Sequence, residues 1–373
     1  MYERDNSVTN LNIQLQALLD RLVQTQENVR SGLLLVAAPG FFWKGASGIA
    51  FTDTSTPALP DDQFIVDSIG KMFTSSIIML LSEESLLSIS DPVVRFLPAD
   101  LMQGLHVLEG QDHTQEITIE HLLTHTSGLR DTWADEAFLD LIVSEPERRW
   151  TPGETIEYIK DHCPPKFPPG RGFTYSDPGY NLLGLIIEAV AGKPLHLVTR
   201  EKLLAPLGLN HTWRPSHEKP YPSLPERGVM ERYLDDYECA LLPAVITNDW
   251  AGGGLVSTTE DLKHFIRSFI DGEIFSNPAT LDRMFSWVPS GPFHQYGFGV
   301  SRVLLDRAEN PSYKGLGELR GHTGSSENFL YYHPQQDMIL TGTLNQIECT
   351  SDLLDTVTEV LRMFSPGGSK EKT

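Results

Sequence analysis

The chain has 373 residues, 40% of them apolar, with 30 glycines and 25 prolines; this composition fits one large core, with or without a sizeable insertion, and excludes a disordered or fibrous chain. A formal net charge of −21 with no basic block to offset it argues against nucleic acid or an anionic membrane surface as partner. No run is long and apolar enough to span a bilayer, since the best, residues 182–190, is short and broken by Glu188. The first residues carry neither the basic region nor the apolar core of a signal peptide. Cys163, Cys239 and Cys349 are odd in number, far apart and without a Cys-x-x-Cys, so free thiols in a reducing cytoplasm are expected.

In chain order, Leu11, Leu15, Leu18, Leu19, Leu22 and Val23 recur at helical spacing within residues 8–29 and predict an amphipathic surface helix. Residues 32–38 form a short apolar run closed by Pro39-Gly40, and residues 41–51 resume after that turn. The pair predicts an antiparallel hairpin packed on the first helix. A polar loop over residues 52–62 leads to Asp67 and Ser68, both good N-cap residues, and to a run through Leu81 that is apolar on almost every face. This predicts a buried helix starting at or next to Ser68. Lys71 then lies three residues on, on the same face and within reach of the serine hydroxyl. A lysine in a largely apolar site can be neutral enough to take a serine's proton, and N–H groups at a helix start can stabilise charge developing on a carbonyl oxygen. On spacing alone, an N-cap serine followed by a solvated lysine fits equally well. The same spacing recurs at Ser216-His217-Glu218-Lys219, but Pro215, Pro220, Pro222 and Pro225 make that segment an exposed loop with no helix to align the side chains.

From residue 91 to about 289, helical segments alternate with Pro-rich and Gly-rich loops. Residues 119–128 predict a helix with Gly128 at its C-cap. His121 and His125 on it read as structural histidines in preference to half a metal site, because the order is Glu-His-x-x-x-His and no further ligand pair stands out. Pro168-Pro169-Gly170 stiffens a loop leading to Tyr175-Ser176-Asp177, braced by an apolar helix over residues 182–191 that ends at Gly192. A tyrosine so held is either a reactive group kept still or a side chain packing beside the helix. Tyr233-Leu234-Asp235 lies in an acidic stretch without such a brace. Gly252-Gly253-Gly254 lacks the ending and the preceding strand of a phosphate loop and reads as close backbone packing beside a pocket, with a helix starting after Ser257 or Thr258. Strand signals return over residues 296–305, 319–324, 328–332 and 338–344, with a polar turn over 333–337. A helix carrying Leu353, Leu354, Val357, Val360, Leu361 and Phe364, stopped by Pro366-Gly367-Gly368, closes the chain. The predicted class is α+β: one antiparallel sheet built from both chain ends, residues 1–90 and 290–373, flanked by helices, with a large mostly helical subdomain, residues 91–289, inserted between them.

On the strand over 319–324, Gly321-His322-Thr323-Gly324-Ser325-Ser326 is rich in small residues that let a substrate backbone approach, and the N–H of Ser325 could pair with that of Ser68 as an oxyanion hole. Taken in order, Ser68-x-x-Lys71, Tyr175-Ser176-Asp177 and His322-Thr323-Gly324 resemble the three motifs of the serine β-lactamase and penicillin-binding-protein superfamily. Residues 64–81, 91–98, 117–129, 167–194 and 252–262 are similar, in the right order, to its class C β-lactamase-related branch, which includes esterases and D-aminopeptidases. The resemblance implies a β-lactamase/transpeptidase-like fold with the active site between the two parts, Ser68 as nucleophile of an acyl-enzyme mechanism, Lys71 and Tyr175 sharing the proton traffic, and no metal or organic cofactor. Two departures bear on the substrate. Asp177 stands where the branch's β-lactamases carry asparagine, and His322 replaces the lysine of the Lys-Thr-Gly strand that, with Thr323 and Gly324, would contact substrate. A largely neutral histidine beside a carboxylate is a weaker anion site. The expectation is therefore a cytoplasmic serine hydrolase of carboxylic esters, acting on a small-molecule ester or amide. D-aminopeptidase or amidase, β-lactamase and acyltransferase activity are the enzymatic alternatives, and a non-catalytic acyl-ligand-binding or scaffold protein is the alternative of another class.

Overall fold

Helix α1 (Tyr2–Thr25) buries Leu15, Leu18, Leu19 and Leu22 against the hairpin of β1 (Ser31–Ala38) and β2 (Phe41–Phe51), as their helical spacing requires. It stops short of the predicted residue 29, and Asn28, in the left-handed region (φ 68°), turns the chain into β1. The computed structural model describes residues 2–26, 28–219, 227–347 and 353–365; Cys349 and Pro366-Gly367-Gly368 lie outside them. The sheet continues with β3 (Thr56–Pro57), β4 (Val288–Pro289), β5 (His294–Tyr296), β6 (Ser301–Leu304), β7 (Glu318–Gly324), β8 (Asn328–His333) and β9 (Met338–Thr343). Its spatial order is β4-β5-β6-β7-β8-β9-β1-β2-β3, antiparallel throughout, with the early strand β1 paired to the late strand β9 through Leu33↔Thr343 to Ala37↔Ile339. The fold is α+β, as expected.

Alternation along the central strands serves two cores. Leu34, Val36 and Leu340 face α1 and the last helix, Leu353–Met363, whereas Leu33 and Ile339 face the larger core. Into that larger core pack α2 (Gly70–Glu83), α3 (Asp177–Ala191), α4 (Pro243–Gly253) and α5 (Thr259–Ile270). Helix α3 begins ahead of the predicted residue 182 because the Ser176 hydroxyl accepts from the Gly179 N–H (3.3 Å) and Pro178 fits the first turn; it ends at Gly192 as expected. Thr258 caps α5 by accepting from the Asp261 N–H at 3.2 Å.

Two predicted elements are corrected. The strand over 296–305 is split into β5 and β6 because Phe298 leaves the sheet and is buried in the helical core. The helix over 119–128 covers only Ile119–Leu123, since His125 adopts φ 57° and accepts from the Ser176 N–H at Nδ1 (3.2 Å); Gly128 serves a later turn. Among the described residues, no single helix is long and apolar enough to cross a membrane.

Phe73 of α2 and Phe265 of α5 are stacked with centroids 3.9 Å apart and both are buried, so this pair joins the Ser68 helix to the sheet-covering helix. Phe265→Ala should cost ~3–5 kcal/mol of unfolding free energy by urea titration. A loss below ~1 kcal/mol would contradict this packing role.

Candidate active site

Ser68 sits in a single turn of 3-10 helix, Asp67–Ile69, that feeds directly into α2. Neither Asp67 nor Ser68 caps the helix with its side chain, which corrects the expected N-cap. Asp67 instead takes a left-handed conformation (φ 48°), and its carboxylate pairs with the buried guanidinium of Arg232 while accepting from the Ser326 N–H (2.9 Å) and Asn328 Nδ2 (2.7 Å). A non-glycine residue in this region costs about 1–3 kcal/mol, and these charge-assisted bonds offset it. Two glycines admit the turn: a Cβ on Gly324 would stand 2.7 Å from the Asp67 Cβ, and one on Gly253 would stand 3.0 Å from the Asp67 carbonyl. The Ser68 turn is thus held between the end of β7 and the end of α4.

Lys71, on the first turn of α2, is fully buried. Its ammonium donates to Ser68 Oγ (3.1 Å) and to the Gly252 carbonyl (3.0 Å), and it forms an ion pair with Asp177 at the start of α3. Burial works against the charged form, but the Asp177 carboxylate, followed by Tyr175, outweighs it and holds the Lys71 pKa above its ordinary value. The expectation of a lysine made neutral by apolar surroundings is therefore corrected: the neighbouring carboxylate keeps it a cation. The Tyr175 ring lies against this ammonium, its centroid 4.8 Å from Nζ, and its buried hydroxyl lies within hydrogen-bonding reach of Lys71 and Ser68. Burial raises the Tyr175 pKa, with the Lys71 charge opposing it, so the phenol is neutral. The His125 ring lies tilted against Tyr175 with centroids 4.2 Å apart and, through the Ser176 N–H, fixes the segment that carries it.

Of the third motif, only Ser325 lines the cavity with Ser68; His322, Thr323 and Gly324 do not. His322 is 4% exposed, donates from Nδ1 to the Thr323 carbonyl (2.6 Å) and accepts at Nε2 from Tyr296 Oη (2.9 Å). Burial, helped by the Lys71 charge, pushes its pKa down to about 3. Both ring nitrogens are engaged, and the ring is neutral and held by Tyr296. Of the other sequence candidates, Ser216 bonds its neighbour His217 (2.6 Å) and the Tyr233 hydroxyl is taken up by Glu231 (2.6 Å).

The cavity beside Ser68 measures about 400 Å³ and has a largely apolar wall that includes Leu139, Ile142 and Val143. Asp131, Asp177 and Asp249 also line it. Asp131 accepts from the Asp177 N–H (3.4 Å), and Asp249 accepts from the Trp133 indole (3.1 Å). Asp131, Trp133, Arg232 and Asp249 belong to no motif legible in the sequence. The nearest signal is position, since Asp131 follows the Gly128 turn and Asp249 precedes the glycine run. Chemically, the arrangement offers a hydroxyl at a helix start, a cation and a neutral phenol beside it, and an apolar space for an acyl or alcohol group.

The sequence model of the Beta-lactamase family matches residues 16–351, so the chain belongs to the Beta-lactamase family. A "Beta-lactamase" of Pseudomonas fluorescens is 28% identical over 239 residues, 63% of this chain and 57% of that protein. The chain spans about three fifths of the length of the curated relatives it matches. Among solved structures, a D-stereospecific amidohydrolase from Streptomyces sp. is similar with a TM-score of 0.77 and 24% identity, covering 93% of this chain and 97% of that one. EstCE1, titled a hydrolase with promiscuous acyltransferase activity, is similar with a TM-score of 0.75 and 21% identity over 96% of this chain and 99% of that one. At these identities the structural likenesses establish the fold.

If Lys71 and Tyr175 act on Ser68 as one unit, Lys71→Ala and Tyr175→Phe should each lower kcat by ~100-fold or more, and the double variant should lose far less than the product. Steady-state kinetics of the three variants check this, and fully multiplicative losses would contradict a shared proton path.

Proposed function

We propose that the chain is a serine hydrolase that cleaves carboxylic esters through an acyl-enzyme on Ser68. The observation that carries this reading is the contact of Ser68 Oγ with a buried, ion-paired Lys71, next to the Tyr175 hydroxyl at the edge of an apolar cavity. Ser68 Oγ attacks the ester carbonyl while its proton passes into the Lys71–Tyr175–Asp177 unit. The N–H groups of Ser68 and Ser325 receive the oxyanion, and the proton returns to the departing alcohol. Water then releases the acid from Ser68 by the same route in reverse. Lys71 is already protonated and Tyr175 binds its proton tightly, so the proton balance closes on the Asp177 carboxylate: Lys71 hands it one proton through their ion pair as it takes up that of Ser68.

Substrates with a free carboxylate fit this site poorly. Arg232, which lines the cavity, is committed to Asp67, Lys71 is committed to Asp177, and His322 is neutral and enclosed. A β-lactam or a peptide C-terminus would bring its carboxylate toward Asp177 with no uncommitted cation from these residues to receive it. Amide hydrolysis is the second reading, favoured by the charged Lys71: an amine, unlike an alkoxide, departs only when protonated, and Lys71 can supply that proton.

p-Nitrophenyl esters of graded chain length, assayed beside a chromogenic cephalosporin, test the reading. Esters should be turned over with kcat/KM at least ~10-fold above the cephalosporin. Ser68→Ala should remove the activity while circular dichroism stays unchanged. Faster cephalosporin hydrolysis, or undiminished ester hydrolysis in Ser68→Ala, would overturn it.

A further inference from the structure

The backbone from Trp250 to Leu255, the last turn of α4 and the residues just after it, supports the Ser68–Lys71 pair along its whole length. Its carbonyls are taken up one by one. That of Ala251 accepts from Thr74 Oγ1 (2.6 Å), that of Gly252 from the Lys71 ammonium (3.0 Å), that of Gly253 from the Leu255 N–H (2.7 Å) and that of Leu255 from the Val66 N–H (2.9 Å). Gly253 also lies against the start of α2, since a Cβ on Gly70 would stand 3.1 Å from its Cα. Within this turn Trp250 leaves the helical conformation (φ 21°, ψ −95°), which a bulky residue keeps only where its surroundings over-determine it. Its ring is buried over Gly184 of α3, where a Cβ would stand 2.6 Å away.

The two carbonyls that remain, of Trp250 and Gly254, both accept from Arg214 Nη1, the second at 3.2 Å. Arg214 is 2% exposed, and no carboxylate among the described residues forms an ion pair with its guanidinium. Glu218 accepts from its backbone N–H (2.8 Å) and gives its other oxygen to Arg200 (2.8 Å). Burial pushes the Arg214 pKa down to about 10, against the charges of Glu218 and Glu188. An apolar side chain would fill this place at lower cost than a guanidinium without a counter-ion, so stability alone does not account for it. What the guanidinium does is bracket the turn, because its two carbonyls stand on either side of Gly252 and Gly253. The backbone of its neighbour Trp213 secures the far end by pairing with Val256 in both directions (3.1 and 2.9 Å). We infer that Arg214 is a positioning residue for the nucleophile: by clamping the carbonyls of Trp250 and Gly254, it holds the Gly252 carbonyl against the Lys71 ammonium and Gly253 against Asp67. It acts through these residues alone, since it forms no part of the cavity wall beside Ser68. Its effect on rate rests on the hydrolase reading of Ser68; its effect on Lys71 does not.

Kinetics and NMR on three variants separate this proposal from the reading beneath it. Arg214→Met removes the donors at similar length. Arg214→Lys keeps a buried cation, and because one nitrogen serves both carbonyls, an ammonium can replace it. Leu340→Ala, in the core facing α1, supplies a destabilised protein with an intact turn. With a neutral p-nitrophenyl ester, well below every melting temperature, Arg214→Met should lower kcat by ~10-fold or more with KM within ~3-fold. Arg214→Lys should recover at least ~3-fold of that loss, and Leu340→Ala should stay within ~2-fold of wild type. The Lys71 side-chain signal should move in Arg214→Met and titrate at lower pH, because the ammonium has lost an acceptor, and should stay in place in Leu340→Ala. A folded Arg214→Met with wild-type kcat, a lowered kcat with an unmoved Lys71 signal, or no recovery in Arg214→Lys overturns the proposal. A moved Lys71 signal with no ester turnover in any of these proteins, wild type included, supports the clamp and overturns the hydrolase reading. If Arg214→Met does not fold, the link is read from its other end: the Arg214 guanidinium signal should shift in Lys71→Ala, and a signal left at its wild-type position overturns the clamp.

Discussion

The ion pair between Lys71 and Asp177 is the constraint on which the rest of the site depends. Placing an ammonium in a fully buried position costs several kcal/mol unless a carboxylate and good acceptors meet it there. Here they come from three separate elements: Asp177 from the start of α3, the Gly252 carbonyl from the end of α4, and Ser68 Oγ from the turn before α2. Asp177 is well placed for this, because the positive end of a helix favours a carboxylate. Once the pair is fixed, so is the position of Ser68 Oγ, and the packing of α2, α3 and α4 becomes a condition for the chemistry as well as for stability.

A second ion pair, Arg232 with Asp67, does the same for the backbone. It holds a left-handed residue immediately before Ser68 and, through the bonds of Asp67 to Ser326 and Asn328, ties that turn to the β7–β8 hairpin whose turn carries Ser325. Because each cation near Ser68 is already answered by a carboxylate, the cavity is left with surplus acid and apolar wall. This is the reverse of the charge pattern that would receive a free carboxylate.

The fold class was legible because its signals are local. The Pro39-Gly40 turn between two apolar runs, the helical spacing of Leu15, Leu18, Leu19 and Leu22, and the glycine that ends α3 each act within a few residues. The Ser68–Lys71 proximity was legible for the same reason. What could not be read is whatever depends on partners remote in the chain. Asp67 looks like an N-cap until Arg232, 165 residues later, draws its carboxylate away. Lys71 looks neutral until α3 delivers Asp177. His322 looks available until Tyr296, 26 residues earlier, closes on its ring. Asp131 and Asp249 carry no motif, since their meaning lies only in sharing one cavity.

The charge state of Lys71 is the most direct test of this account. Its side chain can be followed by heteronuclear NMR across pH in labelled protein, with the signal assigned by its loss in Lys71→Arg. The account requires Lys71 to remain an ammonium up to at least ~pH 10 in the wild type and to titrate at lower pH in Asp177→Asn. A wild-type Lys71 that becomes neutral below ~pH 8 would contradict it.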